Sequence, residues 1–346
     1  MSKENLFGKT LTELKGICAE LKLPSFTAKQ LSEWLYKKEI FTIDEMTNIS
    51  KKNRDLLSAN FQVGLVASLK VDKSIDGTKK YLFPTKGNNY IETAMIPDKD
   101  RKTVCVSSQV GCKMACLFCM TGRQGFQNNL TAGEIVNQYR SIDEWQNITN
   151  IVYMGMGEPF DNLDEVMKSI EILTSEWGYS LSPKRITVST IGIIPAMKKF
   201  LENSTCHLAV SMHTPFDEER KSLMPVESVY PIKDVVNEIK KFDFGLQRRV
   251  SFEYIMFKGV NDTMSHVNEL SKLLNGVRCR INLIRFHPIP DSTLQGSDEE
   301  TLLKFKETLN NKGVFTTIRS SRGEDIFAAC GLLSTIELVK NQEKDY

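Results

Sequence analysis

The sequence predicts an α/β protein whose parallel sheet carries helices on its outside and follows a small helical module. Two observations favour this class. Six short apolar runs between residues 103 and 284 alternate with stretches of helical periodicity, whereas the first 60 residues show helical periodicity alone. The alternation fits a barrel, a partial barrel and an open doubly wound sheet, and in each of them the chemistry lies at the carboxyl ends of the strands.

The composition of the 346 residues is that of a folded protein. Hydrophobic residues make up 41% and charged residues 25%, which excludes a largely disordered chain, and the net charge of +2 does not indicate a polycation. No apolar run approaches the roughly 18–20 residues that a membrane helix needs. The N-terminal residues lack the apolar stretch of a secretory signal. We therefore expect a cytoplasmic protein that does not bind a membrane.

Residues 1–60 are predicted to form a helical accessory domain. Thr10 and Glu13 have the spacing of a capping box, Thr27 and Gln30 repeat it, and Ser50 can cap a third helix. Residues 1–90 contain 15 of the 45 Lys and Arg residues but only 10 of the 43 Asp and Glu residues. This basic excess is compatible with RNA contact and equally with a solvated surface.

Residues 61–102 are predicted to be a β-rich connecting segment. Asp76 and Gly77 lie between the apolar runs 65–71 and 80–83 and are typical of a hairpin turn. Residues 90–96 form a further predicted strand.

The core is predicted to span residues 103–320, and a C-terminal segment, 321–346, contains Cys330. Thr131 and Glu134 can cap the first helix of the core, and residues 314–318 can add one more strand to it. The six predicted strands are 103–107, 150–154, 185–190, 206–211, 250–256 and 280–284. Helices are predicted near 131–145, 163–176, 194–202, 231–242, 263–275 and 298–312.

Three of the eight cysteines, Cys112, Cys116 and Cys119, lie within eight residues of each other after the first core strand. In a reducing cytosol such thiols bind a metal or a cluster rather than form disulfides. A [4Fe–4S] cluster normally takes four cysteines, so three leave one iron open to a ligand. A structural zinc knuckle and inert buried thiols are the alternatives, although no second cysteine pair and no histidine lie nearby.

The C-x3-C-x2-C spacing after the first strand of a βα-repeat domain resembles the radical S-adenosylmethionine (SAM) superfamily. Four further strings, at residues 104–112, 121–126, 155–159 and 328–331, narrow the resemblance to the RlmN/Cfr family of RNA adenine methyltransferases. The resemblance covers nearly the whole chain, including the helical module. It implies a partial (β/α)6 barrel of the TIM type, with the helical domain and the β-rich segment attached to it.

The same resemblance implies the cofactors and the residues that hold them. Cys112, Cys116 and Cys119 would bind a [4Fe–4S] cluster whose open iron takes the amino and carboxylate groups of SAM. His287 stands before Pro288, where the family usually has an asparagine. The implied SAM pocket consists of Gly157, Glu158, Ser189, Ser211, Met212, His213 and His287.

The reaction that the resemblance implies uses two further cysteines. Cys330 takes a methyl group from one SAM, and a second SAM yields the radical that removes a hydrogen atom from it, so that two SAM are used per turnover. The resulting carbon adds to carbon 2 of adenine and links protein to RNA. Glu92 is the implied proton acceptor, and Cys105 then forms a transient disulfide with Cys330 that releases the methylated RNA.

The implied substrates are one adenosine of 23S rRNA and the adenosine next to the anticodon of tRNA. We expect a flavodoxin or ferredoxin as electron donor, a thiol that reduces the disulfide, and a monomeric enzyme. Arg319, Arg322 and the pair Arg248 and Arg249 are candidate phosphate contacts, and solvated surface is an equal interpretation of each.

Two other functions stay open from the sequence. A Cfr-like enzyme would methylate carbon 8 of the same adenine, and the run 189–193 favours it slightly. A binding protein without enzymatic activity would use an iron–sulfur or zinc site as a structural element in contact with RNA.

Overall fold

The computed structural model describes residues 3–245 and 248–335 of the chain. The predicted segment 321–346 is therefore described up to Thr335, and residues 336–346 lie outside the described part. No helix among the described residues is both long enough and apolar enough to cross a membrane.

The N-terminal module contains three helices and a small parallel ribbon. The helices are α1 (Leu11–Glu20), α2 (Thr27–Lys37) and α3 (Lys51–Asn60), and the ribbon pairs β1 (Glu4–Asn5) with β2 (Phe61–Gln62). The ribbon was not predicted, because a strand of two residues carries no periodic pattern.

Two of the three predicted caps of this module are confirmed. Thr10 and Glu13 form a reciprocal capping box, and the Ser50 hydroxyl accepts from the Asn53 amide. The prediction for Thr27 was wrong. Phe26 is already in the right-handed helical conformation and makes no side-chain cap, and Thr27 is the first residue of α2 with a buried side chain.

The remaining strands form one ten-stranded sheet and a separate two-stranded ribbon. The ribbon pairs β7 with β8 in antiparallel orientation. The bounds are β3 (Lys70–Lys73), β4 (Lys79–Thr85), β5 (Asn89–Asp98), β6 (Arg101–Cys105), β7 (Gln109–Val110), β8 (Asn128–Asn129), β9 (Asn150–Tyr153), β10 (Ile186–Thr190), β11 (His207–Ser211), β12 (Val250–Met256), β13 (Cys279–Arg285) and β14 (Thr316–Ile318).

Helices follow most of the parallel strands and cover the outer face of the sheet. Two short ones, α4 and α8, were not predicted from the sequence. The bounds are α4 (Met120–Gln124), α5 (Ala132–Arg140), α6 (Leu163–Thr174), α7 (Ile194–Asn203), α8 (Asp217–Leu223), α9 (Ile232–Ile239), α10 (Met264–Leu273) and α11 (Glu299–Asn311).

The strand order decides between the architectures that the sequence left open. Seven strands, β6 and β9 to β14, are parallel and follow one another in chain order across the sheet. A doubly wound sheet reverses its strand order at a switch point. Among the described residues the order does not reverse, and β14 at one edge does not pair with β3 at the other. The fold is therefore a partial barrel, and it has a seventh parallel strand.

The predicted hairpin is confirmed, and it extends the barrel sheet. β3, β4 and β5 pair antiparallel with each other, and β5 pairs with β6. Gly77 has a φ of +85°, which the turn requires and glycine adopts without strain. The first strand of the hairpin is Lys70–Lys73, so the prediction of a strand from residue 65 was wrong.

Alternation along the parallel strands separates the core from the barrel interior. On β12, Phe252, Tyr254 and Met256 are buried in the main apolar cluster beneath the helices. Ser251 and Glu253, which alternate with them, line the space inside the barrel. Because side chains alternate between the two faces of a strand, the outer face forms the apolar core and the inner face supplies polar groups to a cavity.

Candidate active site

The loop of the three cysteines begins directly after β7 and is closed by close contact between glycines. The Cys112 amide donates to the Gly125 carbonyl at 3.1 Å. Gly111 has a φ of +70°, and a Cβ atom there would lie 1.7 Å from the same carbonyl oxygen. No other residue fits this position, so Gly111 fixes the start of the loop.

The environment of the three thiols fits a cluster of positively charged metal ions. Cys112 and Cys116 are buried and Cys119 is half-buried. Burial, with smaller contributions from the charges of Glu158 and Cys119, raises the pKa of Cys112 to about 12. Burial and the two neighbouring thiols also raise the pKa of Cys116. When they are ionised, the three sulfurs repel one another. A bound cation removes this repulsion, because the thiolate is the metal-binding form of cysteine.

A compact site for one metal ion is not formed. Among residues 3–245 and 248–335, no three His, Cys, Asp or Glu side chains are close enough to hold a single ion. Structural zinc needs four ligands that converge at about 2.0–2.3 Å. The three thiols therefore do not converge on the position of one ion.

Glu158 joins the carboxyl ends of two neighbouring strands. Its carboxylate accepts from the Phe160 amide and from the Ile191 amide, both at 3.0 Å, and Thr190 also hydrogen-bonds to it. Burial nevertheless raises the pKa of Glu158 to about 7. Gly157 has a φ of +95°, and a Cβ atom there would lie 2.4 Å from the Gln109 side chain. The two residues therefore fix the shape of the loop after β9.

Arg220 was not among the predicted site residues. It is fully buried and forms an ion pair with Glu227. Its guanidinium also donates to backbone carbonyl groups at the ends of β10 and β11, at 2.7, 2.9 and 3.1 Å, and these belong to Ile191, Ser211 and Met212. Residues 217–221 are all charged, so nothing in the sequence there distinguishes Arg220 from its neighbours.

His213 continues this chain of contacts toward the cysteine loop. Its Nδ1 accepts from the Ile255 amide at 3.0 Å, and Phe118 of the cysteine loop packs edge-on against its ring at a centroid distance of 4.7 Å. Burial lowers the pKa of His213 to about 3. The imidazole is therefore neutral, and because Nδ1 accepts, Nε2 carries the proton.

The other predicted SAM contacts lie at the same edge of the sheet. Ser189 and Ser211 are half-buried at the ends of β10 and β11, and Met212 is fully buried. His287 follows β13 and lines the central cavity, with its Nδ1 3.7 Å from the Glu324 carboxylate. The structure thus brings the predicted SAM contacts together at the carboxyl edge.

A cavity of about 890 Å³ runs through the barrel. Its lining includes residues at the amino ends of strands, such as His207 and Cys279, and residues beyond the carboxyl ends, such as Gly155 and His287. Cys105, Cys119 and Cys330 line the same cavity. One continuous space therefore connects both ends of the barrel with three of the predicted reactive or cluster-binding thiols.

Cys105 and Cys330 are neighbours in this cavity. Cys105 ends β6 and packs with Ala328, and the charge of Cys330 adds to the effect of burial in raising the pKa of Cys105. Cys330 is surrounded by protein, but its side chain faces the cavity and is exposed to it. Burial raises the pKa of Cys330, and hydrogen bonding and charge from Arg319 oppose this shift.

The segment that carries Cys330 is attached to the cysteine loop. The Met120 amide donates to the Gly331 carbonyl at 2.9 Å, and the buried Thr121 hydroxyl donates to the Leu333 carbonyl at 2.6 Å. Gln124 adds hydrogen bonds to Ser334 and Thr335. These contacts place Cys330 beside the loop of Cys112, Cys116 and Cys119.

Glu92 lies behind this segment. One of its carboxylate oxygens is 2.9 Å from the Lys80 ammonium, and the other accepts from the Ser334 amide at 2.9 Å. Burial raises the pKa of Glu92, and Lys80 opposes this effect. The carboxylate is buried, and it is not part of the cavity lining that holds Cys105 and Cys330.

The cavity lining is strongly basic. Arg249, Arg319 and Arg322 of the predicted phosphate contacts belong to it, as does Arg248, whose guanidinium is turned to the Leu201 and Cys206 carbonyls. The lining also contains two carboxylates, Asp98 and Glu253. The basic residues of the lining are Arg101, Lys184, Arg248, Arg249, Arg278, Arg280, Arg319 and Arg322.

Comparison with known proteins agrees with this architecture. A family model described as "Radical SAM superfamily" matches residues 106–273, and one described as "Ribosomal RNA large subunit methyltransferase N-terminal domain" matches residues 4–63. The crystal structure of a radical SAM methyltransferase from Sphaerobacter thermophilus superposes with a TM-score of 0.89 at 38% identity, covering 95% of this chain and 99% of that one.

Two bacterial relatives are similar over almost the whole chain. The protein of Phocaeicola vulgatus is 55% identical over 340 residues, which are 98% of this chain and 97% of that protein. The protein of Parabacteroides distasonis is 56% identical over 98% of this chain and 99% of its own length. Both carry the name "Probable dual-specificity RNA methyltransferase RlmN". The chain therefore belongs to the RlmN family of dual-specificity RNA methyltransferases within the radical SAM superfamily.

Proposed function

We propose that this enzyme methylates carbon 2 of one adenosine in 23S rRNA and of the adenosine next to the anticodon in tRNA. The observation that carries the proposal is the shared cavity of Cys105 and Cys330, beside a loop with three further thiols. A methyl carrier and a second thiol within reach of it are the two groups that a cysteine-mediated transfer needs.

Cys112, Cys116 and Cys119 hold the [4Fe–4S] cluster of the family, and the carboxyl edge of the sheet holds SAM. When bound, the two cofactors supply a methyl group and a carbon radical that removes a hydrogen atom. The proposed SAM contacts are Gly157, Glu158, Ser189, Ser211, Met212, His213 and His287, and two SAM are used in each turnover.

The residues of the chain act in sequence on one carbon atom. The Cys330 sulfur accepts the methyl group and holds it while the carbon becomes linked to adenine. Glu92 takes the proton that leaves carbon 2, and the odd electron left on the linked base would return to the cluster. The Cys105 thiolate then attacks the Cys330 sulfur, so a sulfur–sulfur bond forms, the sulfur–carbon bond breaks, and the carbon gains a proton to become the new methyl group.

The basic lining of the cavity supports RNA as the substrate. Lys and Arg side chains position RNA through its phosphates without reading its sequence. An adenine that reaches Cys330 inside the barrel must leave its stack, which costs a few kcal/mol and least for an unpaired base. Residues 1–60 are proposed to contact the folded RNA, and loops of rRNA and tRNA supply such unpaired bases.

The proposed reaction sets the partners and the compartment. A flavodoxin or ferredoxin reduces the cluster, and a cytoplasmic thiol reduces the disulfide between Cys105 and Cys330 after each turnover. We propose a cytoplasmic enzyme that acts as a monomer.

The test is methyl transfer by anaerobically reconstituted protein to a tRNA anticodon stem-loop and to a fragment of 23S rRNA. Mass spectrometry of the product nucleoside must locate the methyl group on carbon 2. A methyl group on carbon 8 would instead establish the Cfr-like activity. Tight RNA binding with no methylated product from either RNA would establish a binding protein.

A further inference from the structure

Arg319 connects several parts of the cavity wall. Arg319 follows β14, and its backbone amide donates to the Leu283 carbonyl at 2.8 Å. The backbone carbonyl of Arg319 accepts from the Arg285 guanidinium at 3.0 Å. Its guanidinium lies 3.4 Å from the Glu253 carboxylate and 3.5 Å from the Met154 sulfur. The backbone and the head group of Arg319 are thus both fixed.

The carboxylate that holds Arg319 is itself held in place. Glu253 Oε1 accepts from the Ser251 hydroxyl at 3.0 Å and from the Asn282 amide group at 2.8 Å, and Asn282 in turn accepts from Thr317 at 2.9 Å. Glu253 Oε2 is buried and has no hydrogen-bond partner among the described residues, so Arg319 is the charge that balances it. Removing a partner from a buried charge is costly, which keeps Arg319 in this position.

Both reactive thiols line the same cavity as Arg319. Met154, whose sulfur lies 3.5 Å from the guanidinium, packs against the small apolar cluster that contains Cys105. Burial raises the pKa of both thiols, and the charge of Arg319 opposes this effect. The other charged group that acts on Cys330 is Glu253, and Cys330 in turn raises the pKa of Cys105. Arg319 is therefore the cation of the described cavity that both cysteines share.

We propose that Arg319 is a positioning residue that stabilises the thiolates of Cys330 and Cys105 one after the other. The inference rests on the proposed function. Methyl transfer forms a bond from the Cys330 sulfur to the methyl carbon and breaks the bond from that carbon to the sulfonium sulfur of SAM. It turns the thiolate, whose proton has gone to solvent, into a neutral thioether. Cys330 then carries no negative charge. Arg319 can therefore stabilise the thiolate of Cys105, which must attack the Cys330 sulfur in the last step.

This assignment explains how two thiols with raised pKa values can act as nucleophiles. Burial raises the pKa of Cys105 to about 12, with a further contribution from the charge of Cys330. Only the thiolate is nucleophilic, so a neighbouring cation increases the reactive fraction. Once Cys330 is methylated, its repulsion of Cys105 disappears while the attraction of Arg319 remains.

The test is the pH dependence of alkylation at Cys330 and Cys105 in the reconstituted holoenzyme, without SAM or RNA. Iodoacetamide is the probe, and peptide mass spectrometry resolves each cysteine. Arg319→Gln is expected to move the Cys330 profile to higher pH and to slow its alkylation at neutral pH about tenfold or more, since one pKa unit is a tenfold change in thiolate. Arg319→Lys is expected to restore most of the loss.

Arg322→Gln is the matched control, because it removes the same charge from the same cavity wall three residues away. An unchanged Cys330 profile in Arg319→Gln would overturn the assignment, and so would an equal shift in Arg322→Gln. Arg319→Met keeps the aliphatic stem and gives the same test where the Gln variant does not fold. Alkylation needs no turnover. A shift in Arg319→Gln, together with a wild-type enzyme that methylates no RNA, would therefore refute the proposed function and leave the effect of Arg319 on the thiols standing.

Discussion

At the scale of single residues, the account depends on two cysteines that are distant in sequence and adjacent in the cavity. Cys105 ends a strand of the barrel, and Cys330 lies on a segment attached to the cysteine loop. In the proposed reaction they take different steps. Cys330 is exposed, as the proposed methyl carrier requires, whereas Cys105 is buried and lines the same cavity.

Substitution of each cysteine should therefore stop the reaction at a different point. Cys330→Ala is expected to keep the iron–sulfur cluster but to gain no methyl group from SAM. Cys105→Ala is expected to accumulate protein linked covalently to RNA, which a shifted band on a denaturing gel and intact mass spectrometry detect. Normal turnover by Cys105→Ala would refute the disulfide step.

The pH dependence of catalysis tests Glu92. A proton acceptor acts in its ionised form, so the rate should fall as the pH drops through the raised pKa of this carboxyl. Lys80 lowers that pKa, and Lys80→Met should therefore move the acid limb of the pH–rate profile to higher pH. Lys79→Met, which breaks the adjacent ion pair with Glu144, is the control and should leave the limb in place.

At the scale of elements, the ends of four parallel strands are connected by side chains that bond to backbone groups. Glu158 links β9 to β10, Arg220 links β10 to β11, and His213 links β11 to β12. The carboxyl edge is thus rigid before any ligand binds, which a site that must place a reactive carbon with accuracy requires.

Loss of Arg220 should weaken this edge and the whole fold. Arg220→Met leaves Glu227 as a buried charge without its partner and removes donors from three carbonyl groups, so we expect a loss of about 3–5 kcal/mol in the free energy of unfolding. Urea denaturation measures it. The neighbouring exposed Lys221→Gln should change stability by less than about 0.5 kcal/mol, and a similarly small change in Arg220→Met would contradict the structural role.

The sequence indicated the regular elements better than the contacts between them. Strand β12 was predicted with its observed bounds, because its apolar run and its ends are clear. Ribbons of two residues and the short helix α8 were missed, since they are too short to show a period. Thr27 was misread as a cap because the chain is already helical at Phe26.

The candidate site was predicted where a local pattern exists. The three cysteines and the runs after β9 and β11 carry recognisable strings, and the structure brings them to one edge of the sheet. Arg220 and Glu227 have no such pattern, because most of the groups that hold Arg220 are backbone carbonyls, which no side-chain pattern in the sequence marks. Glu253 left a weaker signal, a charged residue at an inward position of an apolar strand.

At the scale of the whole molecule, the two ends of the cavity have different chemistry. The thiols of Cys105, Cys119 and Cys330 lie toward the carboxyl ends of the strands, and a group of neighbouring cations lies toward the amino ends. Burial and then the charge of Arg249 lower the pKa of Arg280. Burial and then the charge of Arg249 also lower the pKa of His207. Phe315 is exposed beside Arg280, with the guanidinium 5.3 Å from its ring. An RNA strand supplies both the phosphates and the bases that such a group binds.

The salt dependence of RNA binding tests this surface. Arg280→Gln should weaken binding and reduce the slope of log K against log salt by about 0.7, the value for one phosphate contact with a single strand. Filter binding from low to physiological salt measures it. Lys233→Gln, on the outer surface in an ion pair with Asp217, should keep the wild-type slope. An equal reduction in both variants would show that only net charge matters.

The central claim is that three thiolates hold a cluster whose fourth iron is free to bind SAM. The most direct measurement is the product formed when anaerobically reconstituted protein is mixed with dithionite and SAM, together with metal analysis of the same sample. The account predicts iron and sulfide in equal amounts and the release of 5′-deoxyadenosine. Zinc in place of iron, or a loaded cluster that yields no 5′-deoxyadenosine, would contradict it.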